Sequence, residues 1–86
     1  MLDKMPFSQL IGKLVVTKEG KRLGIVKDIT FEVKIGELIQ LVIKDPTPYI
    51  KNLNLEVKDR EVLIPYNSIV AIGDFVVISE EDIIAS

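Results

Sequence analysis

The chain has 86 residues, enough for one domain whose core buries roughly 60% of the surface exposed by the unfolded chain, and too few for a second. Apolar residues make up 48%, with 13 Ile and 10 Val against 9 Leu and 2 Ala, a composition that favours pleated strands over helices and excludes disorder. With no Cys and no His there is no thiolate, imidazole base, disulfide or ordinary nitrogen or sulfur metal ligation, and 11 basic against 13 acidic residues leave a net charge of -2, the wrong sign for a general phosphate binder.

In chain order, Pro6 opens and Gly12 closes a segment long enough for one helical or 3-10 turn, with Phe7, Leu10 and Ile11 expected on one side as a plug for one end of the fold. Lys13 to Thr17 is a short strand. Lys18-Glu19-Gly20-Lys21 is a hairpin loop in which Gly20 takes positive φ. The return strand, Leu23 to Val33, alternates at period 2 except at Val26 and Lys27, which predicts a bulge or sharp bend near Lys27 and Asp28. Gly24, inside the same strand, predicts a bend or a close backbone approach. After a turn at Lys34 to Glu37, the run Leu38 to Ile43 is broken only by Gln40 and should be covered on both faces.

Asp45-Pro46-Thr47-Pro48 is a strong breaker, because each proline removes a donor and restricts the residue before it. Tyr49 to Asn52 carries no clear pattern, whereas Leu53 to Val57 alternates as a strand leading through Lys58-Asp59-Arg60 into Glu61 to Ile64. Pro65 ends that strand, Tyr66-Asn67-Ser68 makes a turn, and Ile69 to Ile72 pairs with Phe75 to Ile78 around Gly73-Asp74. Ser79 and Asp82 have the spacing of an N-cap box for a single helical turn. Six or so short strands predict one small, strongly bent all-β barrel or sandwich spanning residues 1-86, with its core at about 8-78 and an insertion-like segment at 45-60.

Four segments in this order, Gly12-Lys13-Leu14-Val15-Val16, Gly20 to Ile29 with its Leu23-Gly24-Ile25-Val26-Lys27-Asp28 core, Glu61 to Tyr66 and Ile72 to Ile78, resemble the PRC-barrel family. That family includes the cytoplasmic part of the photosynthetic reaction-centre H subunit, the C-terminal domain of the ribosome-maturation factor RimM and many stand-alone archaeal proteins. The resemblance implies a six-stranded β-barrel with one-turn helical segments at the N-terminus and after the Ile64-Pro65 turn, serving as an adaptor without catalytic residues or cofactors. It also implies a homodimer, and a protein partner such as SepF, the membrane-tethered anchor of the FtsZ division machinery. The chain departs from the ribosomal factor in lacking an N-terminal barrel and a basic surface, and from the reaction-centre subunit in lacking an anchor and long extensions.

The residues themselves offer three candidate sites. Tyr49, Ile50, Leu53, Leu55 and Val57, with Phe75 and Val77 of the final hairpin, form a candidate protein interface, because a small barrel cannot hold every apolar side chain inside. A second copy of the chain is the expected occupant. Lys13, Lys18, Lys21, Arg22 and Lys27 form the alternative, a nucleic-acid patch of an RNA- or ribosome-associated module, although Glu19 and Asp28 interrupt it and no aromatic residue lies between Lys13 and Lys27 to stack a base. Asp28 is expected to cap the bend rather than ligate a metal, and Glu80-Glu81-Asp82 to start a helix rather than hold a cation, since that run lacks the spaced ligands and glycine turn of an oxygen site. No stretch approaches the roughly 18 apolar residues of a membrane span, and Met1 to Ile11 lacks a secretory apolar region, so a cytoplasmic, non-enzymatic module is expected.

Overall fold

The computed structural model describes residues 7–32 and 38–84; the turn expected at Lys34 to Glu37 lies outside the described residues. Seven strands, β1 (Leu14–Thr17), β2 (Arg22–Glu32), β3 (Leu38–Lys44), β4 (Val57–Lys58), β5 (Glu61–Pro65), β6 (Ile69–Ile72) and β7 (Phe75–Ile78), precede a short helix, α1 (Glu80–Ile84). Among the described residues there are three 3-10 segments, Phe7–Gln9, Pro48–Leu53 and Tyr66–Ser68, so the helical turns expected near the N-terminus and after Pro65 are present. The strands make one sheet in the order β4-β5-β3-β2-β1-β7-β6. Its two ends, β4 and β6, are not hydrogen-bonded to each other, so the all-β fold is as expected but the ladder does not close into a barrel, and the strand beyond six is the two-residue β4.

Neighbouring strands pair antiparallel except β1 and β7, which run parallel with Leu14 beside Phe75 and Val16 beside Val77. This pairing joins the start of the chain to its end. The core lies on the inner face, where Val15, Leu23, Leu41, Ile43, Ile64, Val76 and Ile78 are fully buried. Leu10 and Ile83 cover it from the first 3-10 turn and from α1, but Ile11 points outward and is 46% exposed, against the expectation that it would join the plug.

Between β2 and β3 the register passes from Val26 opposite Ile43 to Asp28 opposite Val42, leaving Lys27 as the extra residue of a bulge. Asp28 Oδ1 accepts a hydrogen bond from the Ile29 N–H at 2.7 Å, the local backbone bond expected of a carboxylate at a bend. The extra residue restores the alternation that returns Ile29 to the core side. In the β1–β2 loop, Gly20 has φ +87°, and the buried Thr17 hydroxyl oxygen accepts from the N–H groups of Glu19 and Lys21 at 3.2 and 3.1 Å.

The segment after β3 differs from its sequence pattern. Leu53 to Val57 alternates like a strand, yet Pro48–Leu53 is a 3-10 helix and only Val57–Lys58 pairs with β5. Pro48 suits the first helical position, where a missing N–H costs nothing, and Asn54 ends the helix at φ 55°, a left-handed conformation that Asn tolerates. The β4–β5 turn places Asp59 and Arg60 at φ 54° and 64°, the two positive values of a type I′ hairpin. Gly73, by contrast, does not take positive φ; the β6–β7 turn is held by its N–H donating to the Phe75 carbonyl at 2.9 Å.

Candidate interaction surface

β1 contributes two apolar faces because Leu14, Val15 and Val16 follow one another without a polar residue. Val15 points into the core, so Leu14 and Val16 face outward. The register sets Leu14 between Ile25 of β2 and Phe75 of β7, and sets Val16 between Arg22 and Val77, with Ala71 of β6 beyond. Ile25, Leu14, Val16 and Val77 are half-buried, while Ala71 is exposed and Phe75 is 51% exposed. The result is a contiguous apolar strip across β2, β1, β7 and β6. Two of the interface residues expected from the sequence, Phe75 and Val77, lie within it. Leu14, Val16 and Ile25 were not singled out, although the unalternated Leu14-Val15-Val16 run was the available signal.

The other expected interface residues are scattered. Ile50 and Leu53 are in the core, 2% and 0% exposed, so the structure removes them from any surface patch. The reason is the 3-10 helix, whose three-residue period turns both toward the sheet. Leu55 is half-buried against the same core, and Val57, at the short β4 end, is 51% exposed. Tyr49 is half-buried, and its hydroxyl donates to Glu80 Oε2 at 2.7 Å, tying the 3-10 helix to α1.

Three of the five basic residues of the expected patch have partners within the chain. Lys13 Nζ donates to the Gly73 carbonyl at 2.7 Å, Lys21 Nζ lies 5.8 Å from the Tyr49 ring centroid within cation–π range, and Lys27 pairs with Glu61. The Glu61 carboxylate holds the Lys27 ammonium above its ordinary pKa. Lys18 and Arg22 are exposed.

Both tyrosines ionise above the ordinary value of 10, Tyr49 because its hydrogen bond to Glu80 favours the neutral phenol and Tyr66 because of burial. A raised acid pKa stabilises the fold fully below the unfolded value, and this contribution is lost as the pH rises through the folded one. The phenolate absorbance is therefore expected to rise later in the native chain than in denaturant, and the unfolding midpoint to fall as pH passes about 10. Tyr49→Phe should leave a single late transition. A native titration superimposing on the denatured one would remove the Tyr49–Glu80 bond from this account.

An all-β domain with four of its seven described strands presenting apolar side chains outward has the make-up of a small interaction module. The chain belongs to the PRC-barrel domain family, which it matches over residues 2–82. It is similar to an uncharacterized protein of Methanocaldococcus jannaschii, an archaeon, at 38% identity over 82 residues covering 95% of this chain and 89% of the relative. PRC-barrel domains are protein-interaction modules, and the family is generally non-catalytic. Among the described residues no helix is long and apolar enough to cross a membrane.

Proposed function

We propose that the protein is a non-catalytic adaptor of the cytoplasm that forms a homodimer through the outer face of β2, β1 and β7 and links protein partners in archaeal cell division. The observation that carries the dimer is the strip Ile25, Leu14 and Phe75 beside Val16 and Val77, with Phe75 51% exposed at its β7 end. A continuous apolar strip on a small domain is what association removes from water. The strip is also the same on both copies, as a two-fold interface requires. The division role is supported by the resemblance to stand-alone archaeal members, and the archaeal setting by the Methanocaldococcus jannaschii relative. Lys13, Lys21 and Lys27 are engaged within the chain, which weighs against the RNA-binding alternative.

Sedimentation equilibrium at protein concentrations of about tens of micromolar, a range that separates specific dimers from incidental contacts, is expected to give a dimer. A clean monomer there would end the homodimer reading. Native co-purification tests the division role separately: recovery of a SepF-like anchor supports it, and recovery of no division protein removes it.

A further inference from the structure

A second recess lies on the outer face of β2, β3 and β5. It encloses about 440 Å³, with Thr30, Val42 and Leu63 as its floor and Glu56, Lys58, Asp59 and Glu61 around it. Leu63 is 45% exposed, although it occupies the solvent-facing position of a strand whose inward residues, Val62 and Ile64, are already buried. Such a position is ordinarily polar, so folding does not account for a leucine there.

The charges around this apolar floor have a direction. On the β2 side the lining residue is the uncharged Thr30; Asp28, opposite Val42 in register, lies outside the lining, with its Oδ1 accepting from the Ile29 N–H. On the β4 side stand Glu56 and Asp59, with Lys58 between them in the chain. Glu61 is already compensated, paired with Lys27 and opposite Lys44 in the β3–β5 register. The uncompensated lining is therefore anionic on the β4 side, through Glu56 and Asp59, relieved only by Lys58.

From this arrangement we infer that the recess binds an extended, basic segment of a partner protein, seating one apolar side chain on Val42 and Leu63 with a cationic residue beside it toward Glu56 and Asp59. The volume falls within the roughly 300 to 1,000 Å³ of small binding sites, enough for one side chain with its flanking backbone and too small for a folded domain. In an extended segment, residues two apart share a face and lie about 6.5 to 7 Å apart, which sets a cation beside the anchor on the same face. The inference rests on the adaptor reading, to which it adds the chemistry of the partner, and it is independent of the dimer strip.

The test is an amide-resolved NMR titration with the peptide Ac-Lys-Ser-Leu-Ser-Lys-NH2 and its acidic twin Ac-Glu-Ser-Leu-Ser-Glu-NH2. It is run on the parent chain and on the Phe75→Asp variant, so that loss of the dimer and loss of peptide binding are read apart. Saturable shifts centred on Thr30, Val42 and Leu63 are expected with the basic peptide, in both proteins. Binding should weaken at least about tenfold for the acidic twin, in the Glu56→Lys/Asp59→Lys variant, and between about 50 and 500 mM salt. Equal binding of the two peptides, shifts centred elsewhere, or no saturation at millimolar peptide would overturn the inference. Glu56 and Asp59 are exposed, so the double variant leaves the core untouched, and the comparison of peptides on the parent chain needs no variant.

Discussion

Gly24→Ala unfolds at a much lower urea concentration than the parent chain. A Cβ at position 24 would sit 2.4 Å from Ile43 Cγ2 and 2.7 Å from the Lys44 carbonyl oxygen, both closer than any real contact. Neither neighbour can withdraw cheaply. Ile43 is fully buried, and Lys44 belongs to the β3 backbone, paired with Ile25 on one side and Glu61 on the other. The backbone φ of +155° adds strain for any side chain. Overpacking of this kind typically costs about 1 to 3 kcal/mol, and with the backbone term a loss of roughly 3 kcal/mol is expected. That is a large part of the roughly 4 to 13 kcal/mol available to a domain of this size. With a urea slope near 1 kcal/mol/M, the midpoint should drop by about 3 M. Gly73→Ala is the control, because nothing lies within 4 Å of a Cβ there and its φ is not positive. Equal midpoints for Gly24→Ala and the parent chain would mean that β2 and β3 do not approach as described.

Phe75→Asp converts the proposed dimer into a folded monomer. The ring is half exposed in the single chain, so its replacement leaves the core intact and the circular dichroism unchanged. In the dimer the same position would bury a carboxylate against its symmetry mate, next to Leu14 and Val16 of either copy. A buried aromatic anchor in an interface is worth about 2 kcal/mol or more, and two copies lose it together, so the dissociation constant should rise about a thousandfold. Val57→Asp serves as the comparison, since that residue is equally exposed at the β4 end of the sheet. Dissociation by Val57→Asp with Phe75→Asp still dimeric would place the interface at the Tyr49 to Val57 end instead.

These two positions show different kinds of legibility. Gly24 could be read directly, because a glycine inside an alternating strand already indicates that something approaches closely. The bulge at Lys27 was legible for a related reason: period 2 admits no exception without an added residue, and the structure puts that residue where the alternation fails. The interface was half legible. Phe75 and Val77 are conspicuous on a short hairpin, but Ile50 and Leu53 look equally conspicuous and are core. Between Tyr49 and Val57 the apolar spacing fits both a strand and a 3-10 turn, and the choice was made by Pro48 at the helix start, by Asn54 at its end and by the sheet beneath.

By itself, then, the sequence determined the β class, the main turns, the bulge and the absence of any Cys or His chemistry, because all of these follow from composition or from contacts between near neighbours. Only the tertiary structure decided which apolar residues share a surface. The parallel pairing of β1 with β7 sets Leu14 beside Phe75, and the ladder of β2, β3 and β5 sets Asp28, Val42 and Leu63 in one row. Each of these contacts joins residues distant along the chain. Local periodicity gives the face on which a side chain lies, whereas the neighbour it meets there depends on strand order, which no local pattern encodes.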